Sequence, residues 1–367
     1  MKILYGVQGT GNGHLSRARQ LGPELVRLGA EIDWVMTGRH PDQYFDMSPF
    51  PNYQTLPGLT FQVRNGQIQL LETCRKLAIK QSIRDIRQLN TKAYDLVISD
   101  YEPITAWAAK LQKTPSLGLA HQYAFLHPSV PKMNHHLMGN ALLKYFAPTQ
   151  MTLGLHWHHF NAPILPPIFG VGSAPDNQLL ADPTQVLVYL PHDAIAELLP
   201  LFNAQPHHQF HVFTQEIAPQ QMGSVQIHAL SRPDFLRTLH QCAHVLCAAG
   251  FELVSEALSL GRNIMVKPLK QQTEQVANAR ALNLLEYAQV CYELKAHHIH
   301  HWLAEGNPVR VRYPNVAKAL ARQIMTGHWH TLAEDMMDLW QDCAMPDTSF
   351  VRSSRLALNS QTALTDS

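Results

Sequence analysis

The chain has 367 residues, 46% hydrophobic and 16% charged, enough apolar side chains for two cores of ordinary size. Its 29 basic and 28 acidic residues leave a formal net charge of +1, so no nucleic-acid partner is expected. No stretch reaches the roughly 18 uninterrupted apolar residues of a membrane span. The N-terminus lacks a signal-peptide pattern, and five scattered cysteines without a CxxC pair point to a reduced, cytoplasmic protein.

In chain order, "KILYGVQ" reads as a buried strand, followed by a glycine-rich turn and the helix "LSRARQLGPELVRLG", in which Pro23 predicts a kink. "EIDWVMTG", "DLVISD" (95–100) and "PSLGLAHQ" (115–122) are further strands, and the alternation predicts a doubly wound α/β sheet. Residues 161–185 hold five prolines and little periodicity. The strand pattern then restarts with "QVLVYLP" (185–191), "HQFHVFT" (208–214), "SVQIHAL" (224–230), "HVLCAAG" (244–250) and "NIMVKPL" (263–269). "DFLRTLHQC" and "ELVSEALSLG" are helices between these strands.

This gives a first Rossmann-like domain over residues 1–165, a linker over 166–184 and a second Rossmann-like domain over 185–325. A C-terminal helix follows within 326–345, "TLAEDMMDLWQDC", with Leu332, Met336, Leu339 and Trp340 on one side, suited to packing back on the first domain. Residues 346–367 are polar and aperiodic, a loose tail.

"VQGTGNGHLSRA" places Gly9, Gly11 and Gly13 just ahead of His14. The spacing is not GxGxxG, and the second strand ends in Thr37, Gly38 and Arg39 where a dinucleotide site needs an acid. A P-loop is excluded too, because Asn12 follows Gly11 where the lysine belongs. Two readings remain: a backbone that approaches a ligand closely, or a plain tight turn. With strand order 3-2-1-4-5, the first strand neighbours "DLVISD", and His14 faces Asp100 across adjacent strand ends. That is a general base with its orienting carboxylate, or a salt bridge between loop residues.

"CAAGFELVSEALSLGRNIMVKPLKQQTEQVANARAL" (247–282) is the most informative stretch. A strand ends at Gly250 and a helix starts at once with Phe251 or Glu252, an N-terminus that favours an anion such as a diphosphate by about 0.3–2 kcal/mol. Glu256 lies one turn beyond Glu252, and a ribose diol is its natural partner. The loop "LKQQTEQ" carries Gln272, Glu274 and Gln275, whose amides and carboxylate suit sugar hydroxyls; a solvated polar loop is the alternative.

The AAGF, SEAL and LG elements, the valine-rich strand, the proline and QxEQxxNA resemble the donor-site signature of GT-B glycosyltransferases. Family 28 is among them, including the transferase that adds N-acetylglucosamine to the lipid-linked peptidoglycan precursor. Closer still is a branch of predicted transferases with "GxGNGHxxR", "DxExxxxA", "AGFELxSEAL" and "QxEQ". The resemblance spans roughly residues 1 to 325. It implies the GT-B fold, two Rossmann-like domains facing a central cleft, with a UDP-sugar donor on the second domain and the acceptor on the first. Gly11, Gly13 and His14 then match the N-terminal loop, Gly250 and Phe251 the start of the diphosphate helix, and Glu256 the ribose ligand. Glu274 and Gln275, with Gln272 beside them, match donor-sugar contacts. Glu252 departs from the small or hydroxyl residue common at that position in family 28.

The implied reaction is hexosyl transfer with inversion to a hydroxyl of a cell-envelope glycan or lipid-linked acceptor. His14 takes the proton, Asp100 orients it, and neither a metal nor a cofactor beyond the UDP-sugar co-substrate takes part. "HWHH" (156–159) and "HHIHH" (297–301) are dense in imidazole but lack zinc-site spacing. Candidate acceptor loops are residues 57–70 and 121–146. The second carries Leu137, Met138, Leu142, Leu143, Tyr145 and Phe146, either core or a patch for peripheral contact with the inner face of the cytoplasmic membrane. A UDP-sugar 2-epimerase of the same fold and a catalytically idle nucleotide-sugar binder are the alternatives, and no oligomeric state follows from the sequence.

Overall fold

The computed structural model describes residues 1–44, 46–58, 63–64, 67–68, 76–132, 143–171 and 181–346. Six strands make the first sheet: β1 (Lys2–Gln8), β2 (Glu31–Thr37), β3 (Gln54–Leu56), β4 (Leu96–Asp100), β5 (Ser116–Ala120) and β6 (Met151–Gly154). All are parallel, in the order β3-β2-β1-β4-β5-β6. β4 and β5 are buried along their whole length, as a parallel sheet covered on both faces requires. The covering helices include α1 (Asn12–Arg27), α2 (Lys76–Gln88) and α3 (Pro103–Gln112). Strand order reverses between β1 and β4, where Val7 lies beside Asp100. Doubly wound sheets open their ligand crevice at that point.

The second sheet comprises β7 (Asp182–Tyr189), β8 (Gln209–Phe213), β9 (Gln221–Met222), β10 (Val225–His228), β11 (Cys242–Cys247), β12 (Asn263–Val266) and β13 (Gln289–Val290). Its order is β9-β10-β8-β7-β11-β12-β13, parallel except for β9, and it repeats the winding of the first sheet around β7. Its helices are α4 (Ile195–Asn203), α5 (Arg232–Gln241), α6 (Phe251–Leu260), α7 (Thr273–Leu284) and α8 (Ala296–Glu305). α9 (Val316–Met325) then crosses back and packs on α1, burying Leu320 and Ile324. The domains share a seam in which Trp157 Nε1 donates to Ser255 Oγ at 2.9 Å.

The elements differ from the sequence expectation in places. α1 begins at Asn12, ahead of Leu15, and β7 begins at Asp182 rather than at 185. β5 stops at Ala120, because His121 turns into the core and opens a 3-10 segment, His121–Leu126. The C-terminal helix is two short pieces, α10 (Leu332–Asp335) and a 3-10 turn (Met337–Trp340). Between them Met336 leaves helical backbone at φ −99°, ψ 4°, and Leu332, Met336 and Trp340 are all buried. Trp340 Nε1 donates to Ile164 O of the first domain at 2.7 Å. Residues 172–180 of the linker and 347–367 of the tail lie outside the described residues. Among the described residues no helix is long and apolar enough to cross a membrane.

Candidate functional site

The site begins where β1 runs out. The Gly9 N–H donates to Thr37 O at 2.6 Å, and a Cβ on Gly9 would stand 2.7 Å from that oxygen, so glycine is needed for the close approach. Gly13, in the first turn of α1, makes room of another kind: a Cβ there would displace the carboxylate of Glu252 on α6. Gly11 differs. It caps α1 at φ −124°, ψ 154°, a backbone open to any residue, and a Cβ on it would meet no atom within 4 Å. Gly250 caps α6 in the same way, at φ −76°, ψ 150°, with nothing within 4 Å of an added Cβ. Neither cap makes a side-chain hydrogen bond, so the first N–H groups of α1 and α6 are left for another partner.

His14 Nδ1 lies 2.6 Å from Asp100 Oδ1, the pairing that strand order predicts. The His14 side chain is 12% exposed and Asp100 fully buried. Arg17, one turn further along α1, donates from Nε to Asp100 Oδ2 at 2.7 Å and from Nη2 to Oδ1 at 2.6 Å, a bidentate clamp. Its remaining Nη1 pairs with Glu252 on α6. Burial works against the Asp100 charge, but Arg17 and His14 outweigh it and hold the carboxyl below its ordinary range. An ionised Asp100 accepts the His14 Nδ1–H, which assigns the tautomer and leaves Nε2 as the ring's free lone pair.

Phe251 opens α6 with its side chain in the core, stacked on His121 at 3.9 Å and 7° from parallel. Only its backbone is placed to meet a ligand. Glu256 is 1% exposed, paired with Arg232 and 3.5 Å from Ser16 Oγ. Burial pushes its carboxyl up, and Arg232 opposes that. Gln272 caps α7, and Glu274 Oε2 accepts from Gln122 Nε2 of the first domain at 3.0 Å. Gln275 turns inward, its Oε1 accepting from Leu269 N at 2.9 Å, and so shapes its own loop.

The structure thus brings His14, Asp100, Gly11, Gly13 and the start of α6 together, with Glu256 beneath them and Glu274 against the first domain. Beside them a cleft of about 450 Å³ opens at the ends of β7 and β8, lined by Tyr189, Pro191, Asp193, Phe213, Thr214 and Leu230. Asn12 Nδ2 reaches Tyr189 Oη at 3.5 Å, which links the cleft to the start of α1. Arg17 is the arginine of GxGNGHxxR, three residues after His14, but its role at the site was not read from the sequence, and Arg232 had no signal there.

Of the histidine clusters, His156 is buried with Nδ1 accepting the Trp157 N–H at 2.9 Å, and His298 Nδ1 donates to Glu293 O at 3.0 Å. Among the described residues no group of three or more His, Cys, Asp or Glu could hold a metal ion. Most of loop 57–70, and Leu137, Met138 and Leu142, lie outside the described residues. Phe146 packs on Tyr101 at 5.1 Å, Leu143 is half-buried, and Tyr145 is exposed.

The sequence model of a family described as Glycosyl transferase family 1 matches residues 1–306. No curated protein matches the chain. Solved structures that resemble it include the glycosyltransferase SnogD from Streptomyces nogalater, at 19% identity and a TM-score of 0.52, over 93% of this chain and 99% of that one. MurG of Acinetobacter baumannii is 19% identical with a TM-score of 0.50, over 95% of this chain and 97% of that one. SsfS6 from Streptomyces sp. SF2575, crystallised with thymidine diphosphate, is 13% identical with a TM-score of 0.54, over 97% and 99%. At such identities the likeness is one of fold, and the fold is GT-B.

Proposed function

The chain belongs to glycosyl transferase family 1, and on that premise we propose that it moves a hexosyl group from a nucleoside diphosphate sugar, a UDP-sugar first, to a hydroxyl of a cell-envelope glycan or glycolipid, with inversion. The observation that carries this reading is the His14–Asp100 pair, set beside two helix N-termini capped by glycines that the chain's own packing does not require. The acceptor hydroxyl gives its proton to His14 Nε2 as its oxygen bonds to the anomeric carbon. The bond from that carbon to the diphosphate breaks on the opposite face, and its electron pair leaves with the phosphate oxygen. N–H groups at the start of α6 receive that charge, so the reaction calls on no metal and no further cofactor. Asp100 stabilises the imidazolium.

The cleft volume, about 450 Å³, and its Tyr189, Phe213 and Leu230 walls suit the nucleoside. Uracil and thymine differ by one methyl group, so SsfS6 with its thymidine diphosphate makes dTDP-sugars the donors to compare against UDP-sugars. Glu256 reaches a ribose diol by exchanging its bond to Arg232 for one to the sugar. Glu274 and Gln272 contact the transferred sugar. Gln122 Oε1 supports that placement, since it is buried and without a hydrogen-bond partner, an acceptor that a sugar hydroxyl satisfies.

The test is release of nucleoside diphosphate from UDP- and dTDP-sugars, with and without envelope extract as acceptor. Acceptor-dependent release, lost in His14→Ala, is the expected result. No release from any sugar nucleotide would overturn the reading, and release with an epimerised free sugar in the absence of acceptor would replace it by epimerisation. A lipid-linked acceptor goes with peripheral contact at the inner face of the cytoplasmic membrane, checked by sedimentation with anionic liposomes.

A further inference from the structure

His14, Arg17, Asp100 and Glu252 form one connected set in which three members stand on the first domain and Glu252 alone on the second. We infer that Glu252 is a positioning residue that strengthens His14 as a proton acceptor by acting through Arg17 and Asp100, and that it does so only while α6 lies against α1. This rests on the proposed role of His14 as the base.

The charges make the case. Asp100 and Arg17 alone cancel, and a proton on His14 would then leave a cation on a side chain that is only 12% exposed. Glu252 supplies a second carboxylate against the one guanidinium, so protonation of His14 completes the balance instead of upsetting it. The bonding is compatible with this division. Arg17 gives Nε and Nη2 to Asp100 and keeps Nη1 for Glu252, so the two carboxylates do not compete for the same N–H groups.

Glu102, two residues past Asp100, is buried with its carboxyl pushed up by burial and occupied by Ile104 N and Thr105, and the remaining neighbours leave the count as it stands. Tyr5 on β1 stays a neutral phenol, its pKa raised by burial and then by Asp100. Glu256, one turn along α6 from Glu252, is balanced by Arg232 from α5, and Ser16 on α1 is uncharged. Gly13 shows that the contact is built in: a Cβ there would occupy the place of the Glu252 carboxylate. Glu252 stands in the first turn of the helix proposed to face the diphosphate, and it directs its charge at Arg17.

The test needs no substrate. In the full chain labelled with 15N-histidine, the His14 ring is assigned by its loss in His14→Gln and titrated by NMR. Glu252→Gln is expected to weaken the affinity of His14 for its proton roughly threefold to tenfold. Glu252→Asp, which keeps the charge, is expected to titrate close to the parent. Glu252→Ser is the second charge-removing variant should Glu252→Gln not fold. A His14 titration unmoved in the charge-removing variant overturns the inference, and so does an equal displacement in Glu252→Asp, which would mark a packing effect. If no sugar nucleotide is ever turned over, the proposed function fails while this measurement still reads the coupling.

Discussion

His121 of the first domain lies flat on Phe251 of the second, ring centroids 3.9 Å apart. Its Nδ1 stands 2.7 Å from Leu155 O and its Nε2 2.6 Å from Asn278 Oδ1, while Asn278 Nδ2 donates to Ala249 O at 3.0 Å. One imidazole therefore ties the first sheet to the residues that open α6. His121→Ala removes the stack together with the ring's hydrogen bonding at the seam, a loss of about 2–4 kcal/mol. Urea unfolding measures it, and an unchanged midpoint would contradict this account of the seam.

The glycines of the site divide by what each one meets. Gly11→Ala and Gly250→Ala put a methyl group where no atom lies within 4 Å, on backbone open to any residue. Both variants are expected to fold within about 1 kcal/mol of the parent. Gly13→Ala drives into Glu252 and should lose more. Urea midpoints of the three variants decide it, and equal values would remove the distinction.

His14→Ala is expected to lower turnover by roughly 10² to 10⁴. Asp100→Asn should fall in the same direction, since a neutral amide no longer favours the tautomer that frees Nε2. Nucleotide binding should persist in the histidine variant. Near-normal turnover there would exclude His14 as the base.

Stability should depend on pH through histidines held neutral by the fold. Burial, then the nearby His228, lowers His211 from 6.5 to about 4. Between those values the unfolded chain binds the proton and the folded one does not, so His211's contribution is intact above pH 6.5 and drains away towards pH 4. His156, pushed well below its usual value by burial, acts with the same sign. Thermal midpoints at pH 7, 6 and 5 should fall more in the parent than in His211→Gln. An equal fall in both would contradict the assignment.

The fold was legible because strands buried on both faces write themselves as short apolar runs, and those runs alternate with helical spacing. The site was legible as far as topology carried it: with strand order 3-2-1-4, the end of β1 must neighbour the end of β4, which puts His14 by Asp100. Contacts across the seam were not. Nothing local in "HQYAF" marks His121 as a partner of Asn278, and Glu252 looked misplaced until Arg17 stood opposite it. The C-terminal helix misled because its apolar periodicity is real, yet Trp340 is held by Ile164 O and the helix breaks at Met336.

Calorimetric titration of UDP and dTDP into the parent chain and into Gly250→Ala tests the central claim most directly. The account predicts that one of these nucleotides binds the parent, and that it binds the folded variant at least about tenfold more weakly, a difference of about 1.4 kcal/mol. Binding of neither nucleotide to the parent, or equal binding to both proteins, would contradict a donor diphosphate on the N-terminus of α6.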